Sequence, residues 1–386
     1  MLIMSDTRSD AAVTVSAVGG DLALVSWTAD HGARLPGAAE RAYAALAAAA
    51  VERGLVPLQE RVFGDLQAAP AVNRARADAL RAAGVEWPVP ATFVEGSPAE
   101  QAGLAGIHLV AARGQAHALV EGDRAYGTLV ETAEARLLGL SDVARRGADR
   151  LAPGPAEEAG AAIDAAGQLL AREGFSFRDV ARTWFYLRDI LDWYGPFNAV
   201  RNQAFRRMGL TGPSGDGKIP ASTGIEGRNA RGGWCALDLL AVQPRDGRRC
   251  SLRRLHNRRQ NEATEYGSAF ARAMELTLGD SRVILVSGTA AIDERGSTVH
   301  VGDFEAQTRF TLEAVGALLE GAGARLEDVR QATAFLKNPC DLRSFRAIAA
   351  AWGLAETPMV TCVADVCRED LLFVIDATAV VHGSGR

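Results

Sequence analysis

The last third of this chain gathers residues suited to gripping and transforming a small anion. The chain repeats itself three times, and Arg346 stands where the two earlier copies carry Asn73 and Asn198. That exchange supplies a planar fork able to hold a carboxylate through two hydrogen bonds. Arg272 lies six residues beyond Tyr266 and points either to a pocket or to water. Tyr266, Gly267 and Ser268 open the third copy as Tyr126 and Gly127 open the second; their repetition suits a structural role, because glycine permits tight backbone geometry. Cys367 reads as a small core residue. Strand alternation puts Asp376 on the same face as Val374.

Ligand spacing for a metal is missing. The six histidines (His31, His108, His117, His256, His300 and His382) form no motif, and the five cysteines are odd in number with no C-x-x-C, so neither a zinc site nor a disulfide framework is expected. Among 386 residues, 48% are hydrophobic and 23% charged, the balance of a globular protein with several cores. No apolar run approaches the roughly 20 residues of a membrane span, and the start MLIMSDTRSDAAVTV has no basic region followed by a continuous apolar one; a cytoplasmic location without membrane contact is expected. A net charge of −5 argues against general nucleic-acid binding. The segment QPRDGRRCSLRRLHNRRQ is a local exception. It is either a solvated linker between two domains or, in its later part, the border of a pocket for an anion.

The elements that must position these residues are clearest in the third copy. Ile284 to Ile292 reads as a strand, and ERGST as a hairpin turn. Phe304, Thr308, Leu312, Val315 and Leu319 mark a helix with Asp303 as its N-cap. VRQATAFLK alternates like a half-buried strand; Leu342, Phe345, Ile348, Ala349 and Trp352 mark a second amphipathic helix, and Leu371 to Val380 a last strand. The order β-β-α-β-α-β predicts an α+β domain whose sheet is backed by two helices on one face. A period of roughly 120 residues is too long for a solenoid unit, so each copy is a small domain. The expected organisation is a disordered tail over 1–13, a degenerate repeat 1 over 14–112, repeat 2 over 113–245, an Arg-rich linker over 246–262 and repeat 3 over 263–386. Three such sheets packed around an axis hide one another's uncovered faces, which makes the chain an intramolecular pseudo-trimer.

The stretch SGTAAIDERGSTVHVGDFEAQTRFTLEAVGALLEGAGARLEDVRQATAFLKN resembles the YjgF/RidA (reactive-intermediate deaminase) family, trimers of small α+β domains of the chorismate mutase-like kind with ligand sites at subunit interfaces. A single chain that also carries RRQNEATEYGSAFARA and DVCREDLLFVID resembles the chorismatases. That resemblance implies removal of pyruvate from chorismate in secondary metabolism, as in antibiotic biosynthesis. The substrate is a dianion with an enolpyruvyl ether, so catalysis needs cationic donors for two carboxylates and an acid to protonate the terminal methylene, with no cofactor or metal. The resemblance makes Arg346 a substrate ligand and places Tyr266, Gly267, Arg272 and Cys367 around the pocket. The combination of Gly267 with Cys367 resembles the 3-hydroxybenzoate-forming branch.

The chain departs from the family in its last strand. The resemblance expects a catalytic glutamate two residues before a second acid, and Val374 stands there, followed by Asp376. A valine neither donates nor accepts a proton. Asp376 would sit roughly 6 to 7 Å from the vacated position; Glu369, Glu262 and Glu265 are other acids near by. The deaminases' arginine after P-A is also missing at Pro220-Ala221-Ser222 and Pro358-Met359-Val360. Two readings stand. One is a chorismatase-like enzyme giving pyruvate and 3-hydroxybenzoate; the other is a diverged homologue that binds or transforms a different aromatic or cyclic carboxylate, or is noncatalytic. An internally completed ring implies a monomer or a weak dimer.

Overall fold

A computed structural model describes residues 13–19, 21–29, 37–98, 103–143, 154–212, 217–230, 232–257 and 259–383, except for the side chain of Tyr266. Apart from Val13, the tail expected over 1–13 lies outside the described residues. Repeat 1 contains β1 (Val13–Ala17), β2 (Leu22–Thr28), α1 (Ala38–Arg53), β3 (Val56–Gly64), α2 (Ala69–Ala83), β4 (Ala91–Glu95) and β5 (Leu104–Ala112). Repeat 2 contains β6 (Gln115–Glu121), β7 (Arg124–Glu131), β8 (Ala135–Val143), α3 (Pro155–Arg172), β9 (Val180–Leu187), α4 (Ile190–Arg207), β10 (Ala221–Glu226) and β11 (Cys235–Pro244). Repeat 3 contains β12 (Cys250–Leu255), β13 (Ala273–Leu278), β14 (Ser281–Thr289), α5 (Phe304–Gly321), β15 (Val329–Leu336), α6 (Leu342–Ala351), β16 (Met359–Val363) and β17 (Phe373–His382).

Each repeat forms one mixed sheet. The strand orders are β1-β2-β5-β3-β4, β10-β9-β11-β8-β7-β6 and β12-β13-β14-β17-β15-β16. In every sheet the last strand inserts antiparallel beside the strand that precedes the second helix, and the short strand after that helix pairs parallel with it. Alternation decides what each face meets. Along β17, Phe373, Ile375, Ala377 and Ala379 pack under the helices, whereas Val374 and Val380 join a central cluster drawn from all three sheets. The α+β expectation of three sheets closed into an internal ring holds.

Closure is head to tail. Gln59, Arg182 and Gln331 occupy matching places on β3, β9 and β15. Gln59 Nε2 donates to the Leu239 carbonyl of repeat 2 (2.8 Å), Arg182 Nη2 to Asp376 Oδ2 of repeat 3 (3.2 Å), and Gln331 Nε2 to Ser26 Oγ of repeat 1 (3.1 Å). Each repeat thus reaches forward to the next, and the third returns to the first, as in a cyclic trimer. Phe63 meets Tyr186 and Phe335 edge-on near the middle, with ring centroids 6.3 Å apart in both pairs, an arrangement that favours aromatic packing. His108 Nε2 donates to the Ala332 carbonyl (2.9 Å), while burial first, then the Arg61 charge, pushes its pKa down to about 3. It is therefore neutral.

One expectation is corrected. The segment read as an Arg-rich linker over 246–262 contains β12, which pairs antiparallel with β13 from Cys250↔Leu278 to Leu255↔Ala273. Its charges concealed the strand because two of the acids that answer them lie beyond the segment: Arg253 pairs with Glu275 (2.9 Å) and Arg249 with Asp280 (2.6 Å), while Arg254 pairs with Glu262 at the segment's own end.

Candidate functional site

A cavity of about 170 Å³ opens in the seam between repeats 2 and 3. Tyr194, Asn198 and Arg201 reach it from α4, where spacings of four and three residues place them on one helix face. The start of α4 is held by the strand beside it: Glu226, at the end of β10, accepts from the Asp189 and Ile190 backbone N–H groups at 2.9 and 2.7 Å. Asp189 has φ 53°, and the helix bends at Trp193, whose indole donates to the Arg188 carbonyl (2.7 Å). Repeat 3 supplies Ser268, Phe270, Arg272, Gly288, Cys367, Arg368 and Val374. The segment leading into Arg272 frames the opening. Gln260 Nε2 donates to the carbonyls of Ala290 and Ile292, both at cavity-lining residues (3.1 and 2.9 Å), and the Asn261 carbonyl receives two bonds from the Arg272 guanidinium (2.9 and 2.7 Å).

Three guanidiniums line this space, and among the described residues that line it none is a carboxylate. Arg201 is 1% and Arg272 3% exposed. Arg201 Nη2 donates to Asn198 Oδ1 (2.6 Å), and Arg368 Nη1 to the Gly296 carbonyl (2.9 Å). Burial pushes the Cys367 thiol above its usual range, opposed by the charges of Arg368 and Arg201 and by a hydrogen bond from Tyr194. A cavity of this charge, with two of its guanidiniums buried, favours an anionic occupant.

The model of the endoribonuclease L-PSP family matches residues 268–381, the part of the chain that builds the repeat-3 wall. The 3-aminoacrylate deaminase RutC of Acinetobacter baylyi is 35% identical over 101 residues, which are 26% of this chain and 79% of that protein. The chain belongs to the endoribonuclease L-PSP (YjgF/RidA) family. The 3-hydroxybenzoate synthase of Streptomyces hygroscopicus is 29% identical over 231 residues, covering 53% of this chain and 64%, just under two thirds, of the synthase. A crystal structure of a chorismatase superposes on 95% of this chain and all of its own, with TM-score 0.63 and 20% identity. This L-PSP family member is chorismatase-like, and its three-repeat fold is that of a chorismatase.

Among the residues singled out from sequence, Arg272, Cys367 and Val374 meet in the cavity. Asp376 does not line it. Its Oδ2 accepts from Thr223 Oγ1 (2.8 Å) and from Arg182 Nη2 (3.2 Å) in the buried seam. Burial lowers the Arg182 pKa to about 10, with Asp376 opposing the fall. Gly267, exposed with φ 87°, lies beside Ser268 and receives Asn202 Nδ2 on its carbonyl (2.6 Å). The Tyr266 side chain lies outside the described residues. Arg346 is half-buried on α6 and is not among the lining residues. In a head-to-tail ring, the cavity beside Val374 of repeat 3 borrows the second helix of repeat 2, so Asn198, the counterpart of Arg346, is the residue that reaches it. Glu369 is exposed beside Lys337 (3.2 Å), Glu262 is held by Arg254 and His256, and Glu265 is exposed.

Tyr194, Asn198, Arg201, Phe270 and Arg368 were not singled out from sequence. A signal existed for Arg201: the repeat alignment that pairs Asn73, Asn198 and Arg346 also pairs Arg76, Arg201 and Ala349.

The other two seams are built differently at the corresponding places. Gly288 of β14 corresponds to Asp142 of β8, each preceding the residue that pairs with the last strand of its sheet. Where Gly288 leaves space, Asp142 (φ 47°) puts a carboxyl beside Asp238, and its N–H donates to Asp238 Oδ1 (2.7 Å). In the seam between repeats 3 and 1, the Val360 side chain packs so closely on Gly106 that any Cβ there would overlap it.

Proposed function

We propose that this protein takes an anionic cyclic or aromatic carboxylate of the chorismate type into the cavity between repeats 2 and 3, as a chorismatase relative that does not cleave the enolpyruvyl ether. The observation that supports it is the lining: Arg201, Arg272 and Arg368 with Val374 and, among the described residues, no carboxylate. The guanidiniums suit a carboxylate ligand, whereas protonating an enol ether needs an acid within about 3 Å of the accepting carbon. Asp376 is already committed to Arg182 and Thr223. Domain closure within one chain supports a monomer.

A second reading is favoured by Tyr194 and Cys367, two proton-bearing side chains that both line the cavity. Here chorismate is cleaved to pyruvate and 3-hydroxybenzoate, with one of these two groups supplying the proton. Titration calorimetry with chorismate, beside a coupled pyruvate assay on the unmodified protein and on Val374→Glu, separates the two. Binding without pyruvate from the unmodified chain, and pyruvate release by Val374→Glu, is the expected result. Pyruvate from the unmodified chain establishes the second reading. Failure of both chorismate and 3-hydroxybenzoate to bind overturns the first.

A further inference from the structure

We infer that Phe270 is a positioning residue of this cavity: its ring holds Arg201 of repeat 2 and Arg272 of repeat 3 at one spacing, matched to a rigid ligand with two anionic groups. The inference rests on reading the cavity as an anion site. The side chains form an alternating column across the seam. Tyr194 stacks on Phe197 (centroids 6.0 Å apart, planes at 28°); the Arg201 guanidinium lies over Phe197 at 5.0 Å and over Phe270 at 5.5 Å; the Arg272 guanidinium lies over Phe270 at 5.6 Å. A guanidinium is flat and weakly hydrated, so it stacks on an aromatic face at little desolvation cost. Two such cations in one small cavity repel each other, and an aromatic face shared between them offsets part of that repulsion while fixing where each lies.

Phe270 is held firmly enough to act as such a gauge. It is 7% exposed, and the backbone on both sides of it is tied to repeat 2. The Ala269 N–H donates to Asn202 Oδ1 (2.9 Å) and the Ala271 N–H to the Pro220 carbonyl (2.9 Å). The ring therefore belongs to repeat 3 by sequence but takes its position from repeat 2. Shape filling alone would be met by leucine, which has no π face.

The test uses the full chain labelled with ¹⁵N-arginine, with the Nε–H resonances of Arg201 and Arg272 assigned through Arg201→Lys and Arg272→Lys. Both resonances are expected to carry aromatic ring-current shifts that are lost in Phe270→Leu and kept in Phe270→Tyr. Isophthalate and benzoate then serve as rigid probes with two and one carboxylates. Phe270→Leu is expected to weaken isophthalate binding about tenfold or more, the loss of one charged hydrogen bond, while changing benzoate binding much less, with Phe270→Tyr restoring the difference. Unshifted resonances in the unmodified protein, or equal losses for both probes, overturn the inference. If neither probe binds the unmodified protein, the anion-site reading falls instead, and the guanidinium shifts still decide whether Phe270 holds the pair.

Discussion

Gly288 and Asp142 occupy one structural position in two seams, the first without a side chain beside the cavity and the second with a buried carboxyl. A Cβ at Gly288 would approach Thr223 at 3.2 Å, a contact that a small shift relieves. Gly288→Asp should therefore fold, place its own carboxylate among the three guanidiniums, and weaken binding of a carboxylate ligand by more than about tenfold, as read by calorimetry beside a melting curve. Asp142 offers the complementary experiment. Burial first, then the neighbouring Asp238 charge, pushes its pKa up to about 7, with Arg124 opposing; burial likewise pushes Asp238 up to about 6. Between the unfolded value near 4 and these folded values the native state binds more protons, so stability falls as pH rises through that window. Asp142→Asn, which keeps the left-handed backbone accessible, should remove most of this fall and stabilise the protein above pH 7 by about 2 kcal/mol. Urea titrations at pH 5 and pH 8 measure it.

At the scale of elements, α4 sets the positions of three lining side chains, and its first turn is anchored by a carboxylate from β10. Glu226→Ala removes the acceptor for two backbone N–H groups and should cost about 1–2 kcal/mol, the usual worth of a helix cap, together with a loss of ligand affinity. A surface helix end unrelated to the site would show only the first effect. The elements legible in sequence were those with a strong period and a local stop. The helix capped by Asp303 is present as α5, with the Asp303 side chain accepting from the Ala306 N–H (3.0 Å), and the periodicity of VRQATAFLK and of Leu342 to Trp352 returns as β15 and α6. β12 was hidden because two of the acids that answer its arginine-rich segment, Glu275 and Asp280, lie further along the chain. The same limit applies to the site. Arg272, Cys367 and Val374 sit on the repeat whose pattern was clearest, whereas Tyr194, Asn198 and Arg201 enter only once it is known which repeat stands next in the ring, a tertiary fact that no local spacing carries.

At the scale of the molecule, each sheet spends its second face on its neighbours, and the forward bonds of Gln59, Arg182 and Gln331 return on themselves. Sedimentation equilibrium should accordingly report the mass of one chain, 40.8 kDa, at micromolar concentration; a stable trimer of chains would contradict a ring completed internally. Joining three repeats in one polypeptide also changes how the protein is able to vary. In a ring of three identical chains, one codon change alters three sites at once, and any loss of packing is incurred three times. Here a change at position 374, 288 or 142 is made once, in one seam. Two seams are thereby free to serve as masonry while the third is remodelled, and whatever residue stands at position 374 leaves the other two joints untouched.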